Sequence, residues 1–244
     1  MTTKKQKNKT KKSNIKNRII NTVAVLLLII GLFLIFLNPI KDWLVKNMSN
    51  NNNVSTVTAA QIKKNHTRDG EFDFSQVVDL DAENIIRARL YQDDMAVIGG
   101  IAVPDVAINL PIIKGISNYN LAVGAGTMKP DQVMGEGNYA LAGHNMIDKG
   151  LLFSPLDKLA MGDEIYLTDL EYVYVYKTSF IETVNPDRVD LIDDVEGQTL
   201  VTLVTCNPDG SKRLVVQGTF EKKVPMKKAT KAMKAAFDIE KNTY

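Results

Sequence analysis

The chain has 244 residues, 45% of them hydrophobic and 24% charged, enough for one or two domains with a substantial core. Its net charge of +2 is unevenly spread: residues 1–18 hold eight Lys or Arg and no acid, leaving 22 basic against 28 acidic groups, or −6, in the rest. A nucleic-acid-binding domain is excluded by that balance, because such domains present a basic face.

In chain order, the basic tail 1–18 is followed by "IINTVAVLLLIIGLFLIFL", residues 19–37, 19 residues without a charge. As a helix this segment is about 28 Å long, the thickness of a bilayer core. The following "NPIKDWLVK" has no small-residue cleavage pattern, so the segment reads as an uncleaved transmembrane anchor. Eight cations before it, against Lys41 and Lys46 soon after, place the N-terminus in the cytoplasm and the remainder outside. Residues 38–71 read as an extracytoplasmic linker, polar and Asn-rich from Met48 to about Gly70. His66, within that stretch, reads as a solvated side chain with no role.

A short helical pattern, "AENIIRARL", comes next, and after it the chain changes to strand signals punctuated by turns. Seven segments qualify: "MAVIGGIAV", "VAINLPIIK", "NYALAGH", "DEIYLT", "YVYVYKTSFIETV", "LVTLVTC" and "RLVVQGTFEKKV". With only brief helical inserts such as "LLFSPLDKL", they predict an all-β barrel or sandwich over residues 72–224. Residues 225–244 are Lys- and Ala-rich and predict an appended surface helix.

Cys206 is the only cysteine, so it forms no intrachain disulfide; it is a buried small hydrophobe, an intermolecular crosslink or a nucleophile. Alternation along "LVTLVTC" puts Leu200, Thr202, Val204 and Cys206 on one face. If "NPDGSK" closes an antiparallel hairpin, Arg213 stands opposite Cys206, and a permanent cation beside sulfur is the setting of reactive thiols. A nucleophile also needs a proton-transfer partner, and beyond residue 71 the only histidine is His144, with the small Ala140 and Ala142 on its own face. Structural zinc does not compete, since it takes four Cys or His ligands.

With "LAGHN" around His144, "TLVTC" ending at Cys206 and "RLVVQG" beginning at Arg213, in that order behind a membrane anchor, the chain resembles the sortases, most closely class A. The resemblance implies an eight-stranded sortase-type β-barrel and a transpeptidase that cleaves LPXTG-type sorting signals between Thr and Gly. It implies Cys206 as nucleophile, His144 as acid and base, and Arg213 as brace for substrate and oxyanion. The acceptor would be the amine of a lipid II-type peptidoglycan precursor, at the plasma membrane of a Gram-positive-type cell. Val184, Pro186, Val189, Leu191 and Ile192 of "ETVNPDRVDLI" align with the segment that lines the signal groove, and strand parity adds Ala142, Thr202 and Val204.

Some class A members bind Ca²⁺ through carboxylates before the "LAGH" strand. Here Lys129 and Gln132 stand where two acids would be expected, leaving Asp131 and Glu136, with Asp193 or Asp194 from another loop. That is thin for a cation wanting six to eight oxygens, so no cofactor and calcium-independent activity are expected. Two alternatives compete: another extracytoplasmic cysteine peptidase or transpeptidase, and a non-catalytic anchored binding domain. L,D-transpeptidases place His and Gly just before the cysteine, where this chain has Val204 and Thr205; papain-like hydrolases run Cys before His, the reverse of this order.

Overall fold

The computed structural model describes residues 3–78 and 80–237, with side chains from residue 16 onward. The chain divides into two compact units, Met1–Lys41 and Asp42–Tyr244. The described part of the first unit is the N-terminal part of helix α1 (Thr3–Asn51), whose apolar stretch is exposed and long enough to cross a bilayer.

The second unit is built on eight strands. These are β1 Val97–Val103, β2 Ile108–Ile113, β3 Ala125–Thr127, β4 Asn138–Ala142, β5 Glu164–Thr168, β6 Tyr172–Val184, β7 Leu200–Cys206 and β8 Arg213–Pro225. They close into a barrel in the order β1-β2-β3-β4-β7-β8-β6-β5, with β5 paired back onto β1. The pairs β2–β3 and β4–β7 are parallel and the others antiparallel. Seven of these strands coincide with the segments of alternating or continuous apolar residues. The eighth, β3, is only "AGT" and carries no pattern of its own; its existence depends on the neighbours that pair with it.

Two apolar layers hold the barrel. Ile101, Leu141, Ile165, Leu167, Tyr176, Val201, Leu203 and Val216 belong to the main core. The alternate residues Ala102, Tyr166, Val173 and Val175 belong to a second cluster with Val54, Ile62, Met233 and Phe237. This explains why β1 is buried at all seven positions: both of its faces are covered. Gly100 is part of that fit, since a Cβ there would lie 2.6 Å from Val54 Cγ1.

Two expectations are corrected. The stretch read as a linker, 38–71, belongs largely to the folded unit: Val45 and Met48, late in α1, are fully buried, and a 3₁₀ turn (Val54–Thr56) and helix α2 (Ala59–His66) pack on the barrel. Several of its polar residues bond groups of the folded unit. Asn52 Nδ2 donates to Met48 O at 3.1 Å, Asn53 caps the 3₁₀ turn, Asn65 Nδ2 donates to Val97 O at 2.8 Å, and Thr58 with Gln61 forms a capping box. The tail 225–244 is likewise not a mere surface appendage. Its helix Lys231–Ala236 puts Met233 and the fully buried Phe237 into the second cluster; residues 238–244 lie outside the described residues.

Ile62→Ala should therefore lower the unfolding free energy by about 2–5 kcal/mol in a urea titration of residues 42–244. A tether residue would show no more than about 0.5 kcal/mol.

Candidate active site

The parallel pairing of β4 with β7 sets Ala140 opposite Thr202 and Ala142 opposite Val204. On the other side of β7, the hairpin to β8 sets Thr202 opposite Gln217, Val204 opposite Val215 and Cys206 opposite Arg213. Arg213 in turn pairs with Val184 at the end of β6. Paired residues share a face, so one row runs Val184, Arg213, Cys206 across three strands, and the row below it runs Val215, Val204, Ala142. His144 lies two residues past Ala142, as Cys206 lies two past Val204, which brings the two to the same end of adjacent strands.

These residues line an apolar-walled cleft of about 270 Å³. Of the residues expected there, His144, Cys206, Arg213, Ala142, Val184, Pro186, Val189, Leu191, Ile192 and Val204 all border it. Lys212 is exposed outside the cleft, as the hairpin alternation requires.

Thr202 does not line it. It is fully buried beneath the 3₁₀ turn Val189–Ile192, which covers that part of the strand face. Its hydroxyl donates to Asn138 Oδ1 at 2.6 Å and accepts from Gln217 Nε2 at 3.1 Å. Gln217 Nε2 and Asn138 Nδ2 both donate to the carbonyl of Leu191, at 3.0 and 2.9 Å, and Asn138 Nδ2 also reaches Asp193 O at 3.0 Å. The apolar wall of the cleft is thus held from below by a polar network, and Thr202 is a support for the wall rather than part of it.

Residues outside the expected set also border the cleft: Phe74, Val77 and Val78 from the segment after α2, and Ile116, Leu121 and Met128 around the crossover from β2 to β3. No local signal marks them, since they come from two separate regions that only the closed barrel brings together with the groove segment. Ile116, Leu121, Met128 and Ala140 form a small apolar cluster that Ala142, Ile192 and Val204 pack against, so this wall is continuous with the cleft floor.

Arg213 Nη1 donates to the carbonyls of Gly210 and Lys212, at 3.1 and 3.0 Å, tying the guanidinium to the hairpin loop. In the loops that carry Asp131, Glu136 and Asp194, Lys129 Nζ lies 2.7 Å from Asp194 Oδ1, which also accepts from the backbone N–H of Asn138 at 2.8 Å. The Lys129 ammonium, with that N–H, holds the Asp194 carboxyl below the usual carboxylate range. Among the described residues, no three His, Cys, Asp or Glu side chains gather as a metal-holding group.

The sequence matches the family model of the sortase domain over residues 101–221. It is 41% identical to sortase A of Streptococcus agalactiae over 226 residues, covering 90% of this chain and 92% of that protein. It is 44% identical to sortase A of Listeria monocytogenes over 203 residues, covering 82% and 91%. The chain belongs to the sortase family. The solved structure of the Listeria monocytogenes sortase A superposes with a TM-score of 0.54 at 43% identity, covering 59% of this chain and 97% of that one. This sortase is accordingly a transpeptidase on an eight-stranded barrel, with an N-terminal apolar helix that fits a membrane anchor.

Proposed function

We propose that this sortase acts as a class A cysteine transpeptidase on LPXTG-type sorting signals, with Cys206 as nucleophile, His144 as acid and base, and Arg213 as the oxyanion and substrate brace. The observation that carries this reading is the row Val184, Arg213, Cys206, with His144 at the end of the next strand, all bordering one apolar cleft.

The sulfur of Cys206 attacks the carbonyl carbon of the signal's Thr, and the electron pair of the C=O moves to oxygen. Collapse expels the Gly amine, which takes the proton carried by the Cys206–His144 pair, and leaves a thioester on Cys206. The balance is the same whether that proton starts on sulfur or on imidazole. An incoming cell-wall precursor amine then attacks the thioester, returns a proton to His144 and releases the sulfur. A guanidinium carries five N–H donors, so the fork has others for the oxyanion beyond those tying Nη1 to the loop. The Leu and Pro of the signal suit the wall formed by Val184, Pro186, Val189, Leu191 and Ile192.

Incubating residues 42–244 with an LPXTG peptide should give a thioester mass adduct on Cys206, and Cys206→Ala should abolish both adduct and transfer. Arg213→Lys keeps the charge but loses the fork, and should reduce turnover on the order of 100- to 1000-fold. Lys212→Ala should change turnover little, because Lys212 points away from the cleft. Lys212 essential with Arg213 dispensable would overturn the assignment.

We further propose that turnover needs no calcium. Asp194 is already paired with an ammonium at 2.7 Å, and a divalent ion drawing on that carboxylate would have to displace and repel Lys129. Rates in chelator and in millimolar-range Ca²⁺ should agree; a several-fold rise with Ca²⁺ would show that Asp131, Glu136 and the Asp193–Asp194 loop assemble a site.

The eight cations ahead of the apolar helix support a cytoplasmic N-terminus with the barrel outside. Protease added to wall-stripped cells should digest the barrel and spare residues 1–18; a protected barrel would mean the reverse orientation.

A further inference from the structure

We propose that Asn145 is a positioning residue for the transpeptidation step, holding the strand end that carries Cys206 to the strand end that carries His144. This rests on the assignment of those two residues made above.

The β4–β7 ladder has its last paired residues at Ala142 and Val204, and the backbone N–H of Gly143 still donates to Val204 O at 3.1 Å. In a parallel ladder the donors recur every second residue, so the next bond would run from the backbone N–H of Asn145 to the carbonyl of Cys206. The side chain of Asn145 makes that bond instead: Nδ2 donates to Cys206 O at 2.8 Å. The Asn145 backbone has turned away to form an isolated bridge with Leu152, at the neck of a loop in which Phe153 N–H donates to His144 O at 3.1 Å. One residue therefore lets the chain leave the sheet immediately after His144 while keeping the rung on which Cys206 hangs.

The amide is oriented rather than free to flip. Lys149 Nζ donates to Asn145 Oδ1 at 3.0 Å, which leaves the NH₂ end facing the Cys206 carbonyl. Thr205 Oγ1, donating to Gly143 O at 2.8 Å, adds a second tie between the same two segments. Without the Asn145 bond, the ladder and side-chain ties named between these two segments end at Gly143, one residue short of His144; Cys206 stays in the hairpin opposite Arg213, but its placement relative to His144 is less tightly set.

The test compares Asn145→Ala and Asn145→Asp with the parent in the full-length protein, measuring kcat and KM with an LPXTG peptide and a soluble amine. Aspartate preserves size and can still pair with Lys149, so it keeps the loop closed while presenting an acceptor to the Cys206 carbonyl. Both variants should lose kcat on the order of 10- to 100-fold with KM within about twofold, because geometry and not binding is disturbed. If either variant keeps kcat within about twofold of the parent, or if the loss lies in KM, the positioning role is overturned. Cys206→Ala run alongside separates the two levels. An inactive Cys206→Ala beside active Asn145 variants overturns the positioning role alone, whereas an active Cys206→Ala overturns the nucleophile assignment and this inference with it.

Discussion

The register of β4 against β7 is the constraint on which the cleft depends. His144 and Cys206 are far apart in sequence, and what brings them together is a short parallel ladder of five rungs, from Asn138 opposite Leu200 to Ala142 opposite Val204. A slip of one residue would send Ala142, Val204 and Cys206 into the barrel and bring Leu141, Leu203 and Thr205 out. The register is held because the inward set, Tyr139, Leu141, Val201 and Leu203, is almost wholly buried in the main core, and none of these side chains could be exposed without losing about 1.5–3 kcal/mol of burial free energy. The core thus specifies which side chains the cleft receives.

Polar groups then fix what apolar packing leaves loose. The 3₁₀ turn Val189–Ile192 presents the cleft wall but has no sheet partner; its anchor is the Leu191 carbonyl, which accepts from Asn138 and Gln217. Asn138 and Thr202 are buried, so each of these bonds is costly to leave unmade. The same Asn138 lends its backbone N–H to Asp194, the carboxylate paired with Lys129. Wall, strand and ion pair form one connected unit, with the ammonium supplying the positive charge within it.

What could be read from the sequence is what depends on neighbours along the chain. The hairpin was legible because six residues of turn chemistry separate Cys206 from Arg213, and parity does the rest. The groove segment 184–192 was legible because it is one continuous stretch. Thr202 was placed on the correct face, but the turn that covers it comes from elsewhere, so parity alone could not tell wall from support. Phe74, Ile116 and Met128 were invisible for the same reason. The Asn-rich segment reads as a linker because composition counts polar side chains without showing what they bond; in the fold, Asn52, Asn53 and Asn65 serve backbone groups and neighbouring side chains of the folded unit.

The burial of that segment completes the barrel. β6 carries the run "YVYVY", apolar on both faces, which a free-standing antiparallel sheet with one solvated face would not tolerate. Tyr174 and Tyr176 face the main core, so Val173 and Val175 need a cover, and the cover comes from both ends of the folded unit: Val54 and Ile62 from one, Met233 and Phe237 from the other. Only eight positions separate Leu37, the last residue of the apolar run, from the fully buried Val45. The folded unit's own packing thus begins inside the stretch whose composition suggests a linker, and the barrel's second layer is built from both ends of that unit.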